Sequence, residues 1–349
     1  MAEESSTLFY ENHYWDYNNF SDVFNISDFY QDTIRPMNIV SIVLCSLTCI
    51  LGLPGNAFVI WIAGFKMKRT VNTVWFLNLA SADFLCCLSI PFSIVEIALD
   101  YHWPYGNLMC KVIPTVIILN MFASVFILTL ISLDRFALVI KPVWSQNHRC
   151  LSLAYLLSGT TWFMALLLSI PTMIYRESHF TDFTNITTRC AYSSDMTQSV
   201  AKKIYVSRFV FGFVIPLFII VACYLLIGSK VSQSSFGRSQ KALKLIIGVI
   251  VAFFVCWLPY HVVGLILEYT EDFPNAVIRS LDPLSVALAY INSCLNPILY
   301  VFMGQDFKEK VRLSLRRVLE NVFDEDVSRS TAHSREQPSR ATNSSEAQL

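Results

Sequence analysis

The sequence predicts an all-α membrane protein, a seven-transmembrane helix bundle followed by a short amphipathic eighth helix, and three observations predict it. Seven apolar stretches, each long enough to cross a bilayer, fill the chain between Met37 and Gly304. The 349 residues are 54% hydrophobic and only 15% charged, and a soluble domain would not concentrate its apolar residues into uncharged runs of this length. Basic residues recur in every second connection between the stretches. Hydrocarbon offers no hydrogen bonds, so each stretch must satisfy its own N–H and C=O groups, as an α-helix does.

The elements follow in order. Residues 1–36 carry Glu3, Glu4, Glu11, Asp16, Asp22, Asp28 and Asp32 against the single base Arg35. They lack the basic-then-apolar pattern of a cleaved signal, so the first span is expected to serve as the insertion signal. Span one is Met37–Phe65, followed by Lys66, Lys68 and Arg69; span two is Val71–Leu99. Span three, Val112–Ile140, leads to Lys141 and Arg149, and span four is Cys150–Tyr175. Span five, Ile204–Ser229, precedes Lys230, Arg238, Lys241 and Lys244; span six is Leu245–Leu267. Span seven is Ala276–Gly304, after which come Lys308, Lys310, Arg312, Arg316 and Arg317. The positive-inside rule makes those basic connections cytoplasmic, which places a multi-pass protein in the plasma membrane with its N-terminus outside and its C-terminus inside. Phe307, Val311, Leu315 and Val318 alternate with bases over Gln305–Leu319, the pattern of a helix lying on inner-leaflet lipid. The expected organisation is an extracellular segment 1–36, a bundle 37–304, a surface helix 305–319 and a polar, disordered tail 320–349. No internal repeat suggests a transporter built from paired halves.

Marks of the outer side agree with that topology. Asn19, Asn25 and Asn185 fit the glycosylation acceptor and lie outside. Tyr10, Tyr14, Tyr17 and Tyr30 stand among acids as sulfation candidates, and such a segment would attract a cationic protein, or would simply be a solvated tail. Of ten cysteines, Cys110 and Cys190 fall at or beyond the outer face, where a disulfide can form and persist. The rest read as small hydrophobes, with no metal-ligand spacing.

Function is read from what interrupts the apolar runs, since an ionisable group in a bilayer costs about 2.5–3.5 kcal/mol on insertion scales. Asp83 is the lone charge within span two, and Asn56, Asn120, Ser124, Asn292, Ser293 and Asn296 are polar at middle depth. They suit either a cavity holding a sodium ion on Asp83 or a purely structural hydrogen-bond network. Asp134-Arg135-Phe136 closes span three, Asn296-Pro297-Ile-Leu-Tyr300 lies near the end of span seven, and Cys256-Trp257-Leu258-Pro259-Tyr260 and Pro216 interrupt spans six and five. Membrane prolines beside polar partners give helices two packings of similar energy, as a switch requires. Without a metal cluster or paired membrane-depth carboxylates, the chain is not expected to be an enzyme or to need a cofactor other than sodium, and no nucleic-acid partner is expected.

The set formed by Asn56, Asp83, Asp134-Arg135-Phe136, Trp162, Pro216, Cys256-Trp257-Leu-Pro259, Asn296-Pro297-Ile-Leu-Tyr300 and the Cys110–Cys190 pair resembles the rhodopsin-like G-protein-coupled receptors. The resemblance implies an agonist between the outer helix ends, outward motion of span six, and nucleotide exchange on a heterotrimeric G protein. It implies that Arg135 releases Asp134 to contact the G protein, that Trp257 senses ligand, and that Tyr300 stabilises the open state. Phe136 departs from the usual Tyr of the first motif.

The ligand is constrained by charge. Span seven holds no lysine for a retinal Schiff base, and span three has no aspartate near Val116–Asn120 for an amine. Arg176, Arg208 and Asp282, with Glu96, Tyr260 and Arg279 at similar depth, suit a ligand end that carries a carboxylate and a cation, as a C-terminal arginine does. In the competing reading Arg208 and Asp282 pair with each other. Leu51-Gly-Leu-Pro-Gly-Asn56, Lys66-Met-Lys-Arg-Thr-Val-Asn-Thr-Val-Trp-Phe76, His102-Trp-Pro-Tyr-Gly106, Leu119-Asn-Met-Phe-Ala-Ser124, Lys141-Pro-Val-Trp144 and Gln146-Asn-His-Arg149 resemble the anaphylatoxin receptors of complement. Cys86-Cys-Leu-Ser89 and Asp326-Val-Ser-Arg-Ser-Thr331 are most similar to the third-component (C3a) branch of that family, although the connection from Arg176 to Ala201 is far shorter than is usual there. The resemblance implies a small cationic helical protein as agonist, an inhibitory-class G protein, and receptor kinases acting on tail residues such as Ser328, Ser330, Thr331 and Ser334 to recruit arrestin. The alternatives are a receptor for the fifth-component fragment or another chemoattractant, and a non-signalling scavenger.

Overall fold

The computed structural model describes residues 20–180, 187–193, 197–231, 239–269 and 276–303. Tyr10, Tyr14, Tyr17, Asn19, Asn185, the helix expected over 305–319 and the tail with Ser328, Ser330, Thr331 and Ser334 lie outside the described residues; of Asn25, Tyr30, Arg279 and Tyr300 only the backbone is described. Helix α1, Phe20–Trp61, runs on through a π-helical turn, Ile62–Lys66, and α2 is Val71–Ala98. Helix α3 is Gly106–Ile140, α4 is the short Pro142–His148, and α5 is Leu151–Tyr175. Strands β1, Arg176–Phe180, and β2, Thr188–Tyr192, pair antiparallel. Span five is α6, Gln198–Phe209, a π-helical turn Val210–Val214, and α7, Ile215–Val231; α8 is Ser239–Tyr269 and α9 is Ala276–Met303.

Six of the described helical spans are long and apolar enough to cross a membrane. The seventh, α9, has 28 residues and therefore the length. Phe218, Leu225 and Val255 leave 70%, 69% and 65% of their surface open. An outward belt of such side chains has no place in water and marks the face turned to lipid. Lipid also explains the interior, because hydrocarbon provides no hydrophobic drive between helices and packing must rest on close fit and polar contacts.

Helix α3 is the axis of the bundle, packed against α2, α5 and α7, while α1 lies on α9 and α2, and α8 lies on α9. Leu79, Met121, Phe122, Phe253 and Trp257 are buried in the shared core. Close approach of α1 to its neighbours requires glycine: a Cβ at Gly52 would stand 2.5 Å from Cys87 Sγ, and one at Gly55 would stand 3.1 Å from the Pro297 ring. Asn56, one turn on, donates to the Gly52 and Ser293 carbonyls at 3.0 and 2.8 Å, so that α1 is bonded as well as packed against α9. Between α2 and α5, Trp162 donates to Asn78 at 2.9 Å.

Several boundaries differ from those expected. Helix α1 begins at Phe20 and not at Met37, and it passes Pro36 and Pro54, just as other spans pass Pro91, Pro114, Pro171, Pro259, Pro283 and Pro297. A proline removes one hydrogen bond, and neighbouring turns keep the helix going. Helix α3 reaches back to Gly106, whose φ of +72° is open to glycine. The all-α expectation also missed the hairpin that caps one end. Trp103, buried behind it, accepts from Thr188 Oγ1 at 2.6 Å and donates its N–H to the Thr188 carbonyl at 2.8 Å. The Cys110–Cys190 disulfide, as expected, ties β2 to the start of α3.

Gly52→Val should cost about 1–3 kcal/mol, the usual range for overpacking, visible as a lower thermal midpoint of purified protein. Gly228→Ala, at a helical glycine with open space beside it, should not lower the midpoint.

Candidate functional site

The hairpin builds one side of a polar cluster. Arg176 follows the last turn of α5 and opens β1, and the strand register sets it opposite Tyr192. Its guanidinium lies 4.9 Å from the Tyr192 ring centre and donates to the Cys190 carbonyl at 3.3 Å. Arg208, at the end of α6, is 3% exposed and reaches the same tyrosine from the other side. It donates to Tyr192 at 2.5 Å, to Thr172 at 2.6 Å and to Tyr260 at 3.5 Å, and lies 5.5 Å from the Tyr205 ring centre. Tyr192 is thus held between two cations. Burial opposes its ionisation, but Arg208 and Arg176 outweigh burial and pull its pKa below the ordinary phenol value.

Arg208 makes no ion pair with Asp282 among the described residues; hydroxyls satisfy it instead. Asp282, one turn into α9, is exposed and interacts electrostatically with Arg176, as does Glu96 from α2. Arg176 Nε is buried without a partner. The cluster therefore offers an unused cationic donor and, interacting with it, an exposed carboxylate.

Beneath this layer an aromatic chain leads inward. Tyr260 meets the Trp257 ring edge-on at 5.5 Å, Trp257 lies 6.0 Å from Phe253, and Pro259 sits between the first two in α8. Trp257 is fully buried with its N–H unpartnered. At middle depth Asp83 is fully buried and accepts from Asn296 at 2.6 Å. Asn120 bridges to Ser293 at 3.3 Å and receives Ser124 at 3.2 Å. With its amide turned as its neighbours require, Asn120 donates instead to Asp83 at 3.3 Å and to the Ala82 carbonyl at 3.1 Å. Asn292 is also buried there, and neither of its side-chain polar atoms has a partner.

At the far end the arrangement corrects an expectation. Asp134 is gripped by Arg149, from Nε at 2.7 Å and from Nη2 at 3.2 Å, and not by the adjacent Arg135. Arg135 donates to Asn72 at 2.7 Å. Successive helical residues point about 100° apart and do not face each other, so a third element can take the carboxylate.

Residues 55–300 match the family described as 7 transmembrane receptor (rhodopsin family). The chain belongs to that family. The receptor is 57% identical, over 96% of its own length and 94% of the relative's, to a C3a anaphylatoxin chemotactic receptor of Oncorhynchus mykiss. It is 56% identical to one from Danio rerio, over 84% and 81% of the two chains, and 40% identical to C5a anaphylatoxin chemotactic receptor 1 of Oryctolagus cuniculus, over 90% and 92%. It is a multi-pass membrane receptor of a signalling family and not an enzyme.

Sequence reasoning singled out Arg176, Arg208, Asp282 and Tyr260, and the receptor brings the two arginines to one tyrosine, with Tyr260 bonded to Arg208 and Asp282 near Arg176. It missed Tyr192, Thr172 and Asn72. The position of Tyr192 two residues after the bridged Cys190 was the available signal, since the disulfide holds that strand over the bundle. Tyr192→Phe keeps the ring but removes an acceptor from a charged donor. The unliganded receptor should lose about 1.5–3 kcal/mol, read as a lower thermal midpoint that Tyr155→Phe, on the exposed face of α5, does not reproduce.

Proposed function

We propose that this receptor binds a C3a-like anaphylatoxin by the C-terminal arginine of the peptide and activates a heterotrimeric G protein of the inhibitory class, in chemotactic and inflammatory signalling. The observation that carries the reading is the pair of guanidiniums on Tyr192, one with a buried unpartnered Nε, beside the open Asp282 carboxylate. A terminal arginine presents a carboxylate and a guanidinium to those partners. The names of its relatives support the ligand, and the resemblance of its motifs supports the G-protein class. The hairpin end then faces outward, with the acidic N-terminal segment and its glycosylation and sulfation candidates, and the tail serines and threonines meet kinases and arrestin inside.

G-protein activation in cells expressing the receptor tests this, with third- and fifth-component fragments applied with and without their terminal arginine. A response to the intact third-component fragment that vanishes with the arginine is expected. A stronger response to the fifth-component fragment moves the assignment to the sibling; binding without activation makes the chain a scavenger. Asp282→Ala should weaken the intact ligand by roughly 2–5 kcal/mol and the arginine-less ligand much less, equal losses refuting the role. Arg208→Ala should abolish discrimination between the acid terminus and its amide.

We propose also that the buried Asp83 site takes a sodium ion as an allosteric ligand. Asp83, Asn120, Ser124, Asn292 and Ser293 present the oxygen ligands that a hard cation requires, and unpartnered oxygens remain on Asn292, Asn296 and Asn56. A cation would neutralise a carboxylate that no basic group among the described residues pairs. The thermal midpoint should rise with sodium chloride relative to choline chloride at equal ionic strength. Asp83→Asn should remove the difference, and a sodium effect that survives it places the ion elsewhere.

A further inference from the structure

The Asp134 end of the bundle holds two guanidiniums, one carboxylate and one amide. Arg149 ends the short helix α4 and precedes α5, so it belongs to a connection and not to a span. Its fork takes both Asp134 oxygens, at 2.7 and 3.2 Å, and the pair is partly desolvated, with the two side chains 25% and 9% exposed. The same Arg149 Nη2 donates to Asn72 Oδ1 at 2.7 Å, and Arg135 Nη2 donates to that oxygen at 2.7 Å from the other side. Two like charges share one neutral acceptor because Asp134 offsets one of them. Arg135 is left with a buried Nε that has no partner.

From this geometry we propose that Arg149 is a positioning residue for G-protein coupling: it occupies Asp134, so that among the described residues Arg135 is hydrogen-bonded by Asn72 alone and its guanidinium remains available at the coupling end. The inference rests on the receptor reading above. Remove Arg149 and a largely buried carboxylate loses its partner, which is costly. Among the described residues Arg135 is the adjacent cation with a spare donor, and Asp134 captures it. Arg149 thus acts through Asp134 and Asn72, and at the far end from the ligand cluster.

The test is nucleotide exchange on a purified inhibitory-class heterotrimer, catalysed by the full receptor in nanodiscs, beside agonist binding measured without G protein. Arg149→Gln should lower agonist-driven exchange roughly fivefold or more, the low end of intersite coupling, with agonist binding unchanged. Adding Asp134→Asn to Arg149→Gln should restore exchange to the parent rate or above, because no carboxylate remains to capture Arg135. A merely structural role predicts a doubly impaired variant. Where Arg149→Gln yields no folded receptor, Arg149→Lys carries the test, since a cation without the fork should give an intermediate rate. Parent-level exchange in the single variant, or failure of the second substitution to restore it, overturns this inference alone. A parent chain that binds agonist without driving exchange overturns the signalling reading and this inference together.

Discussion

A lipid interior offers polar groups nothing to bond, and each polar side chain that enters it has to be met by another from the same bundle. Asn56 answers carbonyls on α1 and α9, Trp162 answers Asn78, and Asn296 answers Asp83. Apart from the Asn56 bond to Gly52 within α1, these bonds connect spans that share no hydrophobic drive to associate. Glycine completes the constraint at Gly52 and Gly55, where α1 approaches closely enough for Asn56 to reach its partners.

Helix α3 joins the functional layers. Its first turns are tied to the hairpin by Cys110, its middle supplies Asn120 and Ser124 beside Asp83, and its last turns carry Asp134 and Arg135. The distance from Cys110 to Asp134 is about 36 Å at the α-helical rise. The rings from Tyr260 through Trp257 to Phe253 run beside it on α8, around Pro259. A proline within a packed aromatic run is a place where a helix can change its packing without losing its ladder, which suits a span that must respond to a ligand at one end.

The charges at the two ends are arranged differently. At the hairpin end Arg208 is satisfied by hydroxyls, and Asp282 remains open. Neutral partners hold a guanidinium in position without cancelling its charge, so it keeps its attraction for an anion. At the far end Arg149 cancels the charge of Asp134, which spares Arg135 from doing so. Both arrangements leave a cation oriented and incompletely neutralised.

The order and number of the spans were legible in sequence, because a bilayer-crossing helix must be apolar along its whole length and cannot hide that pattern. Asp83, Asn296, Trp257 and the cysteine pair were legible for the same reason, as rare exceptions in apolar surroundings or as thiols placed at one face. The start of α1 at Phe20, the π-helical turn at Val210–Val214 and the hairpin were not, since local propensity around them is weak and packing decides. Side-chain pairings were least legible of all. Adjacent Asp134 and Arg135 invited a bond that Arg149 preempts, and Arg208 and Asp282 invited another that hydroxyls on α5 and β2 preempt. What this sequence determined by itself was its solvent, its helices and the residue types that chemistry would use. Which cation meets which acceptor, at Tyr192 and at Asp134, was decided only by tertiary structure, because those bonds depend on the angles at which separate elements come together.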